Sequence, residues 1–246
     1  MNDTPFKSPE NQALLALCAR KTIRTAAIFG IIWGVVNLII GFFAVQANLL
    51  NAGILFLALL MLSAGIAAIR NPSHKSLRTE AVISVLLLFW NVGIAVINAR
   101  AGYASQINGH SLIFPAIAAV VFFRQYNRLG HIKEQIETMD GSRLKEASAL
   151  CKQLFKTKLK ESPDIAQESR KRCRFRLMTD SVFCAHKNLA HAFCLNRTDF
   201  RQCILNPEKN RVRVVVRHPL GKFTYAFDKK NSDRIKTWLN TTIAEV

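Results

Sequence analysis

Residues Ala26–Val45, AAIFGIIWGVVNLIIGFFAV, run for twenty residues without a charge. As a helix they extend roughly 30 Å, the thickness of a bilayer's hydrocarbon layer. Three more apolar stretches follow before residue 124, at about 49–69, 81–98 and 103–123. Beyond that point the chain turns polar, basic and cysteine-containing. Residues 1–123 hold 8 Lys/Arg and 3 Asp/Glu, and residues 124–246 hold 26 and 13, so the second half carries most of the net charge of +18. The expected architecture is an α-helical membrane bundle of four transmembrane helices followed by a small α+β cytoplasmic domain. The expected boundaries are an N-terminal segment 1–25, a bundle 26–123, a helical linker 124–168 and a sheet domain 169–246.

The fourth stretch is the shortest. Only Ser111–Phe123 is cleanly apolar, so a crossing must take Gln106, Asn108 and His110 into its first turns. Charge bias favours four crossings all the same. Lys7, Arg20, Lys21 and Arg24 flank the first stretch. Arg70, Lys75 and Arg78 follow the second, and Arg124, Arg128 and Lys133 follow the fourth. Basic flanks stay cytoplasmic, which places both termini inside a multi-pass protein. The six cysteines then face a reducing compartment, where structural disulfides are not expected. The N-terminal segment opens a helix at Ser8-Pro9-Glu10, and Leu14, Leu15 and Leu17 are expected on the membrane surface.

Inside the bundle, Gly30 and Gly34 are small residues four apart, which lets helices approach closely. They serve packing within the bundle or contact with a second copy. Asn37 and Asn91 are polar groups in hydrocarbon and are expected to hydrogen-bond each other. Glu80 and Arg100 fall at span ends and His110 near the outer surface. No ionisable group is therefore expected inside, which argues against an ion-coupled transporter.

The cytoplasmic half begins with helical periodicity. The stripe Leu144, Ala147, Cys151 and Leu154 can lie on lipid or pack on the following domain. After Glu168 the period shortens to two. Arg172, Arg174 and Arg176 alternate with Cys173, Phe175 and Leu177. Arg211, Arg213 and Arg217 alternate with Val212, Val214 and Val216, and Phe223, Tyr225 and Phe227 share one side. Alternation of this kind implies a half-buried antiparallel sheet with one wet, arginine-rich face. Val182–Lys187, Ala190–Leu195 and Asp199–Leu205 also suit strands. A last helix, capped by Asn231 or Ser232, carries Ile235, Trp238, Leu239 and Ile243.

Phe175-Arg-Leu-Met-Thr-Asp-Ser-Val-Phe183, Leu195-Asn-Arg-Thr-Asp-Phe200, Phe223–Phe227 and the ending Trp238-Leu239 give residues 172–243 a resemblance to bacterial PH-like and GRAM-like domains. The resemblance implies a folded, non-enzymatic adaptor beside a bacterial inner membrane. The Thr179-Asp180 turn departs from it. Phosphoinositide-binding members carry clustered Lys/Arg in an early hairpin loop, so specific inositide binding is not implied.

Cys184, His186, His191 and Cys194 are of the types zinc prefers. In a regular hairpin, an odd register sum puts Cys184, His186 and His191 on one face and Cys194 on the other. An even sum excludes His191. No cofactor is expected. The arginines are read as contacts for anionic headgroups or an acidic protein. A small transporter or channel subunit, or a membrane-tethered nucleic-acid binder, are the alternatives.

Overall fold

The computed structural model describes residues 4–47, 49–100, 109–156, 164–166, 172–205 and 211–240. The chain divides into two compact units: Arg20–Lys133, and Met1–Ala19 together with Glu134–Val246. The Gln106/Asn108 approach to the fourth stretch, residues 161–163, the Asn206-Pro207-Glu208 turn and Ile243 lie outside the described residues.

Helix α1 (Pro9–Ala47) gives its first turns to the second of these units and the rest to the first. Ser8 accepts a hydrogen bond from the Asn11 backbone N–H at 3.2 Å, and Pro9 stands at the first helical position. Both follow the expected start signals. The Arg20–Lys133 unit continues with α2 (Ala52–Arg70), α3 (His74–Arg100) and α4 (Gly109–Leu129). Among the described residues, three helices are long and apolar enough to cross a membrane: α1, α2 and α3. A fourth crossing is not among them. Helix α4 has 21 residues. Its last two turns, from Phe123 to Leu129, include Arg124, Gln125, Asn127 and Arg128.

The outward positions of the three apolar helices are themselves apolar. Ile32, Phe43, Phe56, Leu59, Leu86 and Phe89 are exposed, a surface suited to lipid. Inside, glycines set the spacing. A Cβ at Gly30 would meet Phe122 at 3.2 Å and Glu80 at 3.5 Å, and one at Gly34 would meet Leu62 at 3.0 Å. Both glycines thus serve contacts within the bundle. Asn37 and Asn91 are both buried. The Asn37 side chain donates to the Trp33 carbonyl of its own helix at 2.9 Å.

In the other unit, a 3-10 turn (Thr4–Lys7) and the start of α1 join α5 (Lys133–Thr138), α6 (Gly141–Lys156) and two antiparallel sheets. Sheet A has the order β1 (Ile165–Ala166), β2 (Cys173–Leu177), β3 (Ser181–His186), β4 (Ala192–Asn196). Sheet B has β5 (Ile204–Leu205), β6 (Arg213–His218), β7 (Gly221–Ala226). Helix α7 (Arg197–Gln202) links them and α8 (Lys229–Asn240) closes the chain. Phe175, Phe193, Val214, Tyr225, Phe227 and Ile235 form one core between the sheets and under α8.

Three expectations change here. The stretch Asp199–Leu205 is a helix and then a short strand. Asn196 accepts from the Asp199 N–H at 2.7 Å and starts the helix, and only then does β5 begin. The cap of α8 is Asp228, which accepts from Asn231 N–H at 2.8 Å. Ser232 is buried instead, accepting from Val212 N–H at 2.9 Å and donating to the Phe227 carbonyl at 3.3 Å. Leu14 and Leu15, expected on the membrane surface, are buried.

Candidate functional site

The arginine rows come apart once the sheets are seen to face each other. In sheet A, Cys173 and Phe175 point into the core, so Arg174 and Arg176 lie on the outer face. That face is partly covered. Arg174 donates to the Leu154 carbonyl of α6 at 2.8 Å and lies over the Phe155 ring at 5.1 Å. Arg176 forms a two-pronged ion pair with the buried Asp164, at 2.9 and 3.2 Å. Those bonds hold the Arg176 guanidinium above its ordinary pKa. The stripe Leu144, Ala147, Cys151 and Leu154 on α6 is buried, so α6 packs on the domain. Arg172, just before β2, is exposed.

Sheet B keeps the wet face. Val212, Val214 and Val216 point inward, and Arg211, Arg213 and Arg217 are exposed. The register sets Arg217 opposite Lys222, which is also exposed. Lys222 has no charge in its favour as a cross-strand neighbour of Arg217, since like charges directly opposite destabilise a sheet. Arg213, Arg217 and Lys222 form no ion pair among the described residues. Lys222 falls on the outer side of β7 by the same alternation that turns Phe223, Tyr225 and Phe227 the other way. The tight turn at Pro219-Leu220 leads into β7 at Gly221, which has φ 133°. That turn fixes which residues of β6 and β7 are opposite.

The cysteine and histidine cluster follows the odd register. Ser181 pairs with Asn196 and Cys184 with Phe193, so Cys194 pairs with Phe183 on the other face. Cys184 and His191 are buried on the core side, joined by Cys173, whose Sγ lies 3.6 Å from His191 Nε2. The His186 and His191 rings are 5.4 Å apart. Among the described residues no group of three or more His, Cys, Asp or Glu side chains is arranged to hold a metal ion. Burial pushes the thiols up: Cys173 to about 11, Cys151 to about 12, and Cys184 well above its ordinary value. Burial, with Arg172 nearby, lowers His186. Buried thiols of this kind are packing groups and poor nucleophiles.

The bundle holds the polar residue that sequence reasoning places elsewhere. Glu80 stands two turns inside α3 and is completely buried. Neither carboxylate oxygen has a hydrogen-bond partner among the described residues. It shares the buried face of α3 with His74, Ser84 and Asn91. His74 bonds the Tyr126 carbonyl at 2.9 Å and stacks on the Tyr126 ring.

No protein-family model, curated protein or solved structure matches this chain.

Proposed function

We propose that this chain is a non-enzymatic, four-span membrane protein. Its cytoplasmic PH-like domain would present a basic sheet face to anionic lipid headgroups. The reading of four spans is supported by the composition of one unit. Residues Met1–Ala19 and Glu134–Val246 pack together, so they belong on the same side of a membrane. An even number of crossings must separate them, and α1, α2 and α3 supply three. Helix α4 would be the fourth, and its exposed Ile113, Ile117, Val120 and Phe123 suit lipid. The basic flanks then put both termini at the cytoplasm.

The PH-like reading is supported by the order of four strands, three strands and a closing helix. The single observation that carries the lipid-facing role is the open basic patch of Arg213, Arg217 and Lys222 on sheet B. Juxtamembrane basic residues near anionic lipid each contribute about 1 kcal/mol.

The test uses the full chain in lipid nanodiscs of neutral or anionic composition. Acylation of Lys222 by an amine-reactive reagent is then measured by mass spectrometry. Anionic discs are expected to slow it several-fold, and the paired substitution R213E/R217E to abolish that protection. Equal acylation in both discs removes the headgroup contact.

A further inference from the structure

Glu80 is the only acidic residue between Glu10 and Glu134. Its carboxyl sits where α1, α3 and α4 meet. Helix α1 presents Gly30, at which an added Cβ would lie 3.5 Å from the Glu80 carboxyl and 3.2 Å from Phe122 of α4. On α3 itself the next buried turn carries Ser84, whose hydroxyl donates to the Glu80 backbone carbonyl at 2.9 Å. Among the described residues no charged side chain forms an ion pair or hydrogen bond with the Glu80 carboxyl. Of the basic groups on these helices, Arg24 on α1 donates to the Ile69 carbonyl at 3.2 Å, His74 bonds Tyr126, and Lys75 and Arg78 on α3 and Arg124 and Arg128 on α4 form no ion pair with Glu80 among the described residues. An ionised carboxylate without partners in such a site costs far more than the bundle can offset, and the group neutralises instead. Ionisable residues buried in membrane helices are costly and mark functional sites.

We propose that Glu80 is a proton-binding site of the bundle. Its carboxyl carries a proton while α1, α3 and α4 are closed around it. When the junction opens at Gly30, the O–H bond breaks, the proton passes to entering water and the carboxylate is hydrated. Protonation is thereby coupled to the separation of the three helices. The site rests on the membrane-spanning reading, but not on the headgroup contact.

The test compares the full chain with E80Q, which keeps the shape and cannot ionise. Resistance of both to alkaline carbonate extraction is checked first, because a chain released by carbonate fails the membrane reading whatever Glu80 does. Thermal midpoints are then measured in detergent at pH 6 and pH 9. The wild-type midpoint is expected to fall by several degrees at pH 9, where the opened state releases the proton. E80Q is expected to lose that part of the fall and to exceed wild type at pH 9. An identical pH profile for the two proteins overturns the proposal. A wild-type midpoint at pH 9 that rises with Na⁺ or K⁺, in a way E80Q lacks, overturns the proton in favour of a metal cation. A measurement on wild type alone covers the case in which E80Q does not fold. The apolar reagent dicyclohexylcarbodiimide, which adds to protonated carboxyls reached through the apolar phase, should mark Glu80 at pH 6 and several-fold less at pH 9. No adduct on Glu80 at pH 6, or equal marking at both values, overturns it.

Discussion

The carboxamide of Asn11 accepts from the Cys194 N–H and donates to the Cys194 carbonyl, both at 2.7 Å. Cys194 lies on β4, the edge strand of sheet A. A single side chain thus supplies both hydrogen bonds that a neighbouring strand would give at that residue, and the edge is closed to further pairing there. Phe6 adds an edge-on contact to the His218 ring at 5.1 Å. Asn11 is itself buried, so Asn11→Ala strands two backbone groups without giving them water. The expected loss is about 1–3 kcal/mol. It is read as a lower unfolding midpoint of the full chain together with faster hydrogen exchange at the Cys194 amide. Unchanged exchange at that amide would mean the edge is held by other groups. Nothing in the run Asn11–Ala19 marks this role in the sequence, because an asparagine on a helix face has many uses and its partner lies 183 residues away.

At the level of elements, helix α2 meets α3 through Gly53. A Cβ there would come within 2.2 Å of the Trp90 indole, whereas one at Gly93 would meet nothing within 4 Å. Gly53→Ala is therefore expected to push the two helices apart and cost about 1–3 kcal/mol. Gly93→Ala should leave the midpoint in detergent nearly unchanged or slightly higher, since alanine is the better helix former. Equal midpoints for the two variants would count against the Gly53–Trp90 contact. The Gly30/Gly34 pair announces itself through its spacing. Gly53 does not, because its partner is one large ring and not a second small residue. The strands are legible for the same reason as the first glycine pair. Period-two alternation marks β2 and β6, and the odd hairpin register separates Cys194 from Cys184 and His191 as parity requires. What alternation leaves undecided is what covers a strand's outer face. Arg174 and Arg176 read as a wet face, yet α6 and Asp164 occupy them. For Glu80 a single boundary makes the difference: counting the span from Ala81 puts it at an end, whereas α3 begins at His74.

For the whole molecule, the unit of Met1–Ala19 and Glu134–Val246 keeps Cys151, Cys173 and Cys184 out of solvent. Their ordinary pKa is 9.0, and burial lifts Cys173 to about 11 and Cys151 to about 12. The folded unit therefore holds protons that the unfolded chain releases above pH 9.0. Stability from this source is intact below pH 9.0 and falls as pH rises toward those folded values. Two results are expected. Iodoacetamide at pH 9 should leave Cys151, Cys173 and Cys184 unmodified in the native full chain and label them in denaturant. Unfolding midpoints should decline steadily from pH 9 to pH 11. Ready labelling of Cys173 in the native chain would show that the unit opens without unfolding.

Because that unit draws on residues from both ends of this sequence, it has a fixed place in the order of synthesis. Asn11 and Phe6 leave the ribosome early and wait while the whole bundle is made. Strand β4, which Asn11 closes, appears only near the end. Until then the edge of sheet A has no cover, and the early segment has nothing to cover. On the four-span reading, completion of the sheet domain thus requires that an even number of crossings separate the two segments. A chain that inserted one helix too few would carry its two halves to opposite sides and leave an open strand edge, the kind of surface that aggregates or draws proteolysis.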